Sequence, residues 1–155
     1  MKNVENKVVI ITGATSGIGE ATARVLVENG AKVILSGRRE ERLEKLSQEL
    51  GESSCYLKSD VTNVEDMKAL VKLGKEKFGK IDVLFANAGI MPAGNMSELD
   101  INGWMKMIDI NIKGVLNSMY SVIPEFYEQN SGHIIITSSR AGTTLIPGNA
   151  VYCGT

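Results

Sequence analysis

The sequence contains few of the residues that bind transition metals or form disulfides. Among its 155 residues there are two cysteines, Cys55 and Cys153, and a single histidine, His133. A zinc site needs three or four ligands, usually including Cys or His pairs at short spacing, and no such pair is present. Two distant cysteines are too few for a secreted disulfide scaffold. We therefore expect no metal centre and an intracellular protein.

The chain also lacks an excess of charge and any long apolar run. It has 17 Lys and Arg residues and 18 Asp and Glu residues, which gives a net charge of −1 at pH 7. A protein surface that binds nucleic acid is usually basic. No apolar stretch approaches the roughly 18 residues of a membrane span, and the N-terminal segment has no signal-cleavage pattern. These absences predict a cytoplasmic protein that binds neither nucleic acid nor membrane.

What the sequence does contain is an alternation of short apolar strands with amphipathic helices. Residues 7–12 (KVVIIT) form a continuous β-branched run, which is typical of a parallel strand buried on both faces. The other predicted strands are residues 32–36, 55–58, 81–85 and 133–137. Between the strands, apolar residues recur at helical spacing. The longest such segment covers residues 102–128 and predicts one long helix. Pro124 is expected to introduce a kink in this helix or to mark its last turns.

This alternation predicts an α/β fold. Five strands joined by helical crossovers form a doubly wound parallel sheet of the Rossmann type, in one domain over residues 1–155. Such a sheet binds its ligands outside the carboxyl ends of the strands.

The turn after the first strand, residues 12–19 (TGATSGIG), is rich in glycine. Gly13 permits the tight exit from the strand, Gly17 lets the backbone approach a pyrophosphate, and Gly19 allows the next helix to pack closely. The N-terminus of that helix offers N–H groups and a positive dipole end to an anion. No Gly-Lys-Ser/Thr follows, which excludes a P-loop. A purely structural turn is the alternative interpretation.

Four short motifs occur together in one order along the chain. They are the glycine-rich turn, Asn87-Ala88-Gly89 after the fourth strand, Asn111 in the long helix, and Ser139 thirteen residues before Tyr152. In this combination the sequence resembles the classical short-chain dehydrogenase/reductase family, from the first strand to Tyr152. The stretches SGRREER (36–42) and NAVYCGT (149–155) are most similar to NADP-dependent members of the 3-hydroxy-acid or serine dehydrogenase-like group.

The resemblance implies a set of cofactor-binding residues. They are Gly13, Thr15, Ser16, Gly17, Ile18, Gly19, Arg38, Asp60, Val61, Asn87, Ala88 and Gly89. Within this set, Asp60 and the backbone of Val61 would meet the adenine, although Asp60 also suits the N-cap of the next helix. Asn87 would steady the sheet and form part of the cofactor wall.

The residues after the second strand bear on the choice of cofactor. NAD enzymes of this architecture carry an acid there to bind the ribose 2′-OH, but this chain has Gly37-Arg38-Arg39. An arginine pairs with a 2′-phosphate through its planar fork of donors. The sequence therefore favours NADP (NADPH) over NAD, with Arg38 as the better candidate, while Arg39 is alternatively the start of the charged face of the next helix.

The resemblance also implies the catalytic residues. Hydride transfer to a carbonyl develops negative charge on its oxygen, so a proton donor and a hydrogen-bond donor must converge there. By resemblance Tyr152 is the acid or base, Ser139 holds the substrate oxygen, and Asn111 binds a water of a proton relay. Asn111 lies in an apolar row of its helix, so its side chain should have a buried partner.

The match departs from the family pattern at two places. Ala86 stands where the family motif has a first Asn, and the Lys that the family carries four residues after the Tyr would be the residue after Thr155. We therefore expect the sequence to be the N-terminal portion of a longer protein, with the domain truncated after the fifth strand. On that expectation the fifth strand is an open edge and the 155-residue chain is itself inactive.

The function predicted from these residues is an oxidoreductase. It would transfer a hydride between NADP(H) and a carbonyl or alcohol group of a small metabolite, and the resemblance implies a homo-oligomer when full length. The alternatives are a catalytically silent NADP(H)-binding module and, among enzymes, a 3-oxoacyl-carrier-protein reductase. The sequence does not predict the substrate.

Overall fold

The computed structural model describes residues 4–155, which form one parallel sheet with helices on both faces. The strands are β1 (Val8–Ile11), β2 (Lys32–Gly37), β3 (Ser54–Lys58), β4 (Val83–Ala86) and β5 (His133–Ile136). The helices are α1 (Gly17–Glu28), α2 (Glu40–Leu50), α3 (Val64–Phe78), α4 (Ile101–Ile108), α5 (Gly114–Glu128) and α6 (Ala150–Cys153). The strand order is β3-β2-β1-β4-β5. The predicted doubly wound α/β fold is confirmed, and the predicted strand ends differ from the observed ones by one or two residues.

Strand β1 occupies the centre of the sheet, and both of its faces are covered. Val9 and Ile11 pack in the layer formed with α1 and α2, whereas Val8 and Ile10 pack in the layer formed with α3 and α5. All four residues are at most 3% exposed. This burial explains why the strand is a continuous apolar run with no polar alternation.

The long helix predicted over residues 102–128 is wrong in one respect. A π-helical turn at Asp109–Lys113, which we call the π segment, separates α4 from α5. Pro124 lies inside α5 near its end at Glu128, which agrees with the expectation that it marks the last turns. At the start of α5, a Cβ on Gly114 would lie 2.5 Å from Cγ2 of Val61, so glycine allows the helix to approach the loop after β3.

Asp82, just before β4, fastens the amino ends of two strands together. Its carboxylate accepts a hydrogen bond from the Val8 amide (2.9 Å) and pairs with Nζ of Lys80 (2.9 Å) and of Lys7 (3.4 Å). The side chain is only 11% exposed. Burial acts to raise the pKa of this carboxyl, but the hydrogen bonds from Lys80 and Val8 outweigh it and hold the pKa below its ordinary value of 3.8.

We expect Asp82→Asn to lower the free energy of unfolding by about 1–2 kcal/mol at pH 7, because charge-assisted hydrogen bonds are lost. A carboxyl whose pKa is lowered by folding stabilises the fold above its unfolded pKa, and this contribution is lost as the pH falls through the folded pKa. Urea unfolding should therefore show the full difference above about pH 4 and a shrinking one below it.

The matched control is Asp109→Asn, which removes an exposed ion pair with Lys113 and should change stability by less than about 0.5 kcal/mol. A difference at Asp82 that is the same at pH 3 as at pH 7 would contradict the assignment of the effect to the ionised carboxylate.

Candidate active site

The candidate site lies at the carboxyl ends of β1 and β4, where the strand order reverses. From β1 the chain crosses to β2 on one side, whereas β4 is followed by β5 on the other. Parallel sheets open a crevice at such a point. Here the crevice is a cavity of about 940 Å³. Of the residues predicted for the cofactor and catalysis, the cavity is lined by Gly13, Thr15, Ser16, Ile18, Arg38, Asp60, Val61, Asn87, Ala88, Gly89, Asn111, Ser139 and Tyr152.

The glycine-rich turn forms one wall of this cavity. Gly13 has φ +69° and Gly17 has φ +58°, in the left-handed region that favours glycine. A Cβ on Gly19 would lie 2.5 Å from the carbonyl oxygen of Gly13, so only glycine permits this contact between helix and turn. A Cβ on Gly17 would meet no described atom within 4 Å. The close packing predicted for Gly19 is thus present, and Gly17 faces open space.

Asn87 joins the ends of three strands. Its amide N–H and that of Ala88 donate to Oγ1 of Thr12 (3.0 and 3.1 Å). Its Nδ2 donates to the Thr12 carbonyl (3.1 Å), and its Oδ1 accepts from Oγ1 of Thr137 (3.0 Å). The sheet-steadying role predicted for Asn87 agrees with these contacts. Thr12, which is 1% exposed, and Thr137 were not among the predicted site residues.

Two arginines follow β2, and they take different positions. Arg39 reaches back to the glycine-rich turn, where it donates to Oγ1 of Thr15 (2.7 Å) and Oγ of Ser16 (2.7 Å). Arg39 is the N-cap residue of α2, so the alternative interpretation places it correctly at the start of that helix, but its guanidinium lies on the glycine-rich turn. Arg38 lines the cavity and makes no hydrogen bond or ion pair to any other residue in the described part of the chain.

The loop after β3 carries Asp60 and Val61. The Asp60 carboxylate accepts from the amide (2.9 Å) and the hydroxyl (2.8 Å) of Thr62. The N-cap of α3 is Asn63, whose side chain accepts from the Glu65 amide (3.0 Å), so the alternative role of Asp60 as an N-cap is wrong. Both residues line the cavity at the end that holds Arg38.

Asn111 lies in the π segment, and its side chain is fully engaged. Oδ1 accepts from the Ile90 amide (2.9 Å), and Nδ2 donates to the Ile90 carbonyl (2.9 Å) and to Oγ1 of Thr155 (3.0 Å). The predicted partner for a polar side chain in an apolar row is therefore present. It is the backbone of the loop after β4, together with a hydroxyl that the sequence analysis did not select.

Ser139 and Tyr152 line the opposite end of the cavity from Arg38. Oγ of Ser139 accepts from the Ala141 amide (3.1 Å), and the hydroxyl remains exposed. Tyr152 is half-buried on α6, and its hydroxyl makes no hydrogen bond within residues 4–155. The Gly148 carbonyl accepts from the Gly94 amide (2.9 Å), which joins the segment before α6 to the loop after β4.

Comparison with known proteins identifies this arrangement. The sequence pattern of the family described as short chain dehydrogenase matches residues 7–155. The chain belongs to the short-chain dehydrogenase family. It is 56% identical over 155 residues to an uncharacterized oxidoreductase of Listeria innocua, covering 98% of this chain and 62% of that protein.

Solved structures of short-chain dehydrogenases share the fold. One from Burkholderia phymatum in complex with NAD has a TM-score of 0.93 and 32% identity, over 99% of this chain and 56% of that one. A closed form of serine dehydrogenase complexed with NADP⁺ has a TM-score of 0.90 and 36% identity, over 95% of this chain and 60% of that one. The present chain thus spans less than two thirds of the length of these short-chain dehydrogenases.

Two absences among the described residues concern metal-binding clusters and membrane-spanning helices. Within residues 4–155 the structure shows no group of three or more His, Cys, Asp or Glu side chains able to hold a metal ion. Over the same residues, no helix has both the length and the apolar character needed to cross a membrane.

We expect Gly19→Ala to destabilise this short-chain dehydrogenase fold by about 1–3 kcal/mol, because the added methyl group meets backbone that must move. Gly142→Ala is the control, since a Cβ there meets no described atom within 4 Å and Gly142 does not have a positive φ. Urea unfolding midpoints measure both. Equal stability of the two variants would contradict the close approach of α1 to the turn.

Proposed function

We propose that the complete protein is an NADP(H)-dependent oxidoreductase acting on a carbonyl or alcohol group of a small metabolite. The observation that carries this proposal is a single cavity with the glycine-rich turn and Arg38 at one end and Ser139 and Tyr152 at the other. A dinucleotide has the same two-ended character, with phosphates and adenosine at one end and the reactive ring at the other. Residues 1–155 form the cofactor-binding domain in this proposal.

The residues of the turn fit a pyrophosphate. Helix α1 has twelve residues, and the side chain of its N-cap, Ser16, makes no capping hydrogen bond. Its first N–H groups and the positive end of its dipole therefore favour an anion. Gly17 leaves open space beside them. Thr15, Ser16 and Ile18 line the same cavity, as do Asn87, Ala88 and Gly89.

The contacts around Gly37 support a preference for NADP. A Cβ on Gly37 would lie 2.6 Å from Cγ2 of Thr15. Thr15 is itself held by Arg39. NAD enzymes have an Asp or Glu at this position, which binds the ribose 2′-OH. Here the position is a glycine, and the nearby Thr15 side chain disfavours any larger residue. Arg38 is free to pair with a 2′-phosphate, and Arg39 adds a second positive charge beside it.

Asp60 and Val61 complete the adenosine end of the proposal. The Val61 side chain is buried against Gly114, and its backbone would lie beside the adenine ring. The Asp60 carboxylate can accept from the adenine amino group while it keeps its bonds to Thr62, because a carboxylate has about four acceptor positions.

The other end of the cavity has the groups that carbonyl reduction needs. When bound, the nicotinamide supplies a hydride to the carbonyl carbon. Tyr152 then donates its hydroxyl proton to the carbonyl oxygen, and Ser139 donates a hydrogen bond to the same oxygen. In alcohol oxidation the same tyrosine accepts the proton.

Arg38→Ala should weaken NADPH binding by about 10- to 100-fold, because a charge-assisted contact to the 2′-phosphate is lost. The dissociation constant for NADH should stay within about twofold. Lys45→Ala is the control, since it removes a positive charge from an exposed position of α2 that does not line the cavity. Fluorescence titration of the complete protein with both reduced cofactors measures these values. Wild-type protein that binds NADH as tightly as NADPH would contradict the NADP assignment.

Tyr152→Phe should lower turnover by about 10²–10⁴-fold and leave NADPH affinity unchanged, because only the proton-donating hydroxyl is removed. Ser139→Ala should lose about 10²-fold or more through the missing donor to the oxygen. Tyr127→Phe, at a tyrosine that is 78% exposed and outside the cavity, is the control. Turnover is measured with NADP⁺ and a panel of serine, 3-hydroxy acids and simple secondary alcohols, and in reverse with 3-oxoacyl thioesters.

This panel also separates the two classes of function. If the protein binds NADPH tightly but turns over no substrate, the function assigned to it would be that of a catalytically silent NADP(H)-binding module instead of an oxidoreductase. Preference for the 3-oxoacyl thioester would identify a 3-oxoacyl-carrier-protein reductase.

The proposal includes a cytoplasmic location and a homo-oligomer. Both cysteines are free thiols, which fits a reducing compartment. Helix α5 exposes two large side chains that do not line the cavity, Tyr120 (64%) and Tyr127 (78%), and a second copy of the chain would cover such a surface. Size-exclusion chromatography with light scattering measures the oligomeric state.

A further inference from the structure

A continuous chain of hydrogen bonds links three parts of the candidate site. It starts at the Ile90 backbone in the loop after β4, which exchanges two hydrogen bonds with the Asn111 side chain. It continues from Nδ2 of Asn111 to Oγ1 of Thr155 (3.0 Å). It ends with the Thr155 hydroxyl donating to the Tyr152 carbonyl (2.9 Å). The loop, the π segment and the turn that carries Tyr152 are therefore connected through one hydroxyl group.

The direction of every bond in this chain is determined by the groups themselves. A carboxamide has two N–H donors, and Asn111 uses one on the Ile90 carbonyl and the other on Thr155. A hydroxyl has a single donor hydrogen, which Thr155 uses on the Tyr152 carbonyl. Its oxygen is thus free to accept from Asn111. A side chain without a hydroxyl at position 155 would remove the acceptor of one Asn111 donor. The Thr155 amide would still donate to the Tyr152 carbonyl (3.0 Å), so the turn after Tyr152 would remain but would lose its link to Asn111.

We infer that Thr155 is a positioning residue, which sets the orientation of Tyr152 toward the cavity by tying its backbone to Asn111. The inference rests on the proposed function, in which Tyr152 donates the proton. Thr155 does not transfer a proton itself. It acts through the geometry of a group whose reacting atoms must lie within hydrogen-bond reach of the substrate oxygen, where small displacements lower the rate.

The chain offers a matched control for this inference. Thr143 is also exposed, and its hydroxyl also donates to a carbonyl three residues earlier, that of Arg140 (3.1 Å). It receives no hydrogen bond from an asparagine side chain within residues 4–155. Thr143→Val and Thr155→Val therefore remove the same local turn bond, but only Thr155→Val also cuts the link to Asn111.

The experiment measures steady-state kinetics of the complete protein with the best substrate of the panel above. Thr155→Val should lower kcat by about 5- to 30-fold, as expected when one or two hydrogen bonds are lost. The KM and the NADPH dissociation constant should stay within about twofold. Thr155→Ser, which keeps the hydroxyl, should restore at least half of kcat, and Thr143→Val should leave it within twofold. Added to Asn111→Ala, Thr155→Val should lower kcat little further, because both act through one link.

A second measurement does not depend on turnover. The Ile90 amide proton is held by Asn111, so its hydrogen exchange, followed by NMR, should accelerate several-fold in Thr155→Val and not in Thr143→Val. Unchanged kcat and unchanged Ile90 exchange in Thr155→Val, while Tyr152→Phe is impaired, would overturn this inference alone. Full activity of Tyr152→Phe would overturn the proposed function and this role of Thr155 with it, whatever the exchange rates.

Discussion

The hydrogen bonds between Thr12 and Asn87 are the constraint on which the site depends. Strands β1 and β4 are neighbours, but the chain leaves them for opposite halves of the sheet. The amides of residues 87 and 88 lie beyond the end of the strand ladder, and the buried Thr12 hydroxyl accepts from both. Without this acceptor two backbone donors would be unpaired at the floor of the crevice. The glycine-rich turn and the loop that carries Ile90 both start from this fastened pair of strand ends.

Much of the fold follows from local patterns in the sequence. A β-branched run such as residues 7–12 can be buried on both faces only between helices, so the strand and its parallel neighbours were predictable. The glycines at positions 13 and 19 were also predictable from the local pattern. At each position a side chain would collide with neighbouring backbone atoms. The positions of Ser139 and Tyr152 in one cavity followed from family resemblance, because neither residue type signals a site by itself.

Other features depend on contacts between distant segments and had no local signal. The apolar period of residues 102–128 gives no sign of the π segment, where Asn111 bonds to Ile90, 21 positions away. Arg39 had the sequence neighbours of a helix-start residue, yet its partners lie 23 and 24 residues earlier. Thr155 was not selected because a single hydroxyl has no recognisable pattern.

The charged side chains that line the cavity are confined to one end. Arg38, Arg39 and Asp60 lie where the adenosine and its phosphate would bind, whereas Ser139 and Tyr152 have neutral neighbours along the wall. In the proposed function, the most highly charged portion of a dinucleotide would be attracted to this end of the cavity first, since fields in a low-dielectric cleft are strong. The same charge distribution would then serve both binding and orientation.

The π segment adds one residue between α4 and α5 within a wider turn. Each residue of a regular helix turns the chain by about 100°, so deleting a residue inside α4 or α5 would rotate one part of the helix relative to the other. A π turn contains one residue more than an α turn. Deleting a single residue between Asp109 and Lys113 would therefore restore an unbroken helix and leave α4 and α5 in nearly their present orientation. Met107 would stay buried, and the cost of the deletion would fall on the position of Asn111, whose side chain bonds to Ile90.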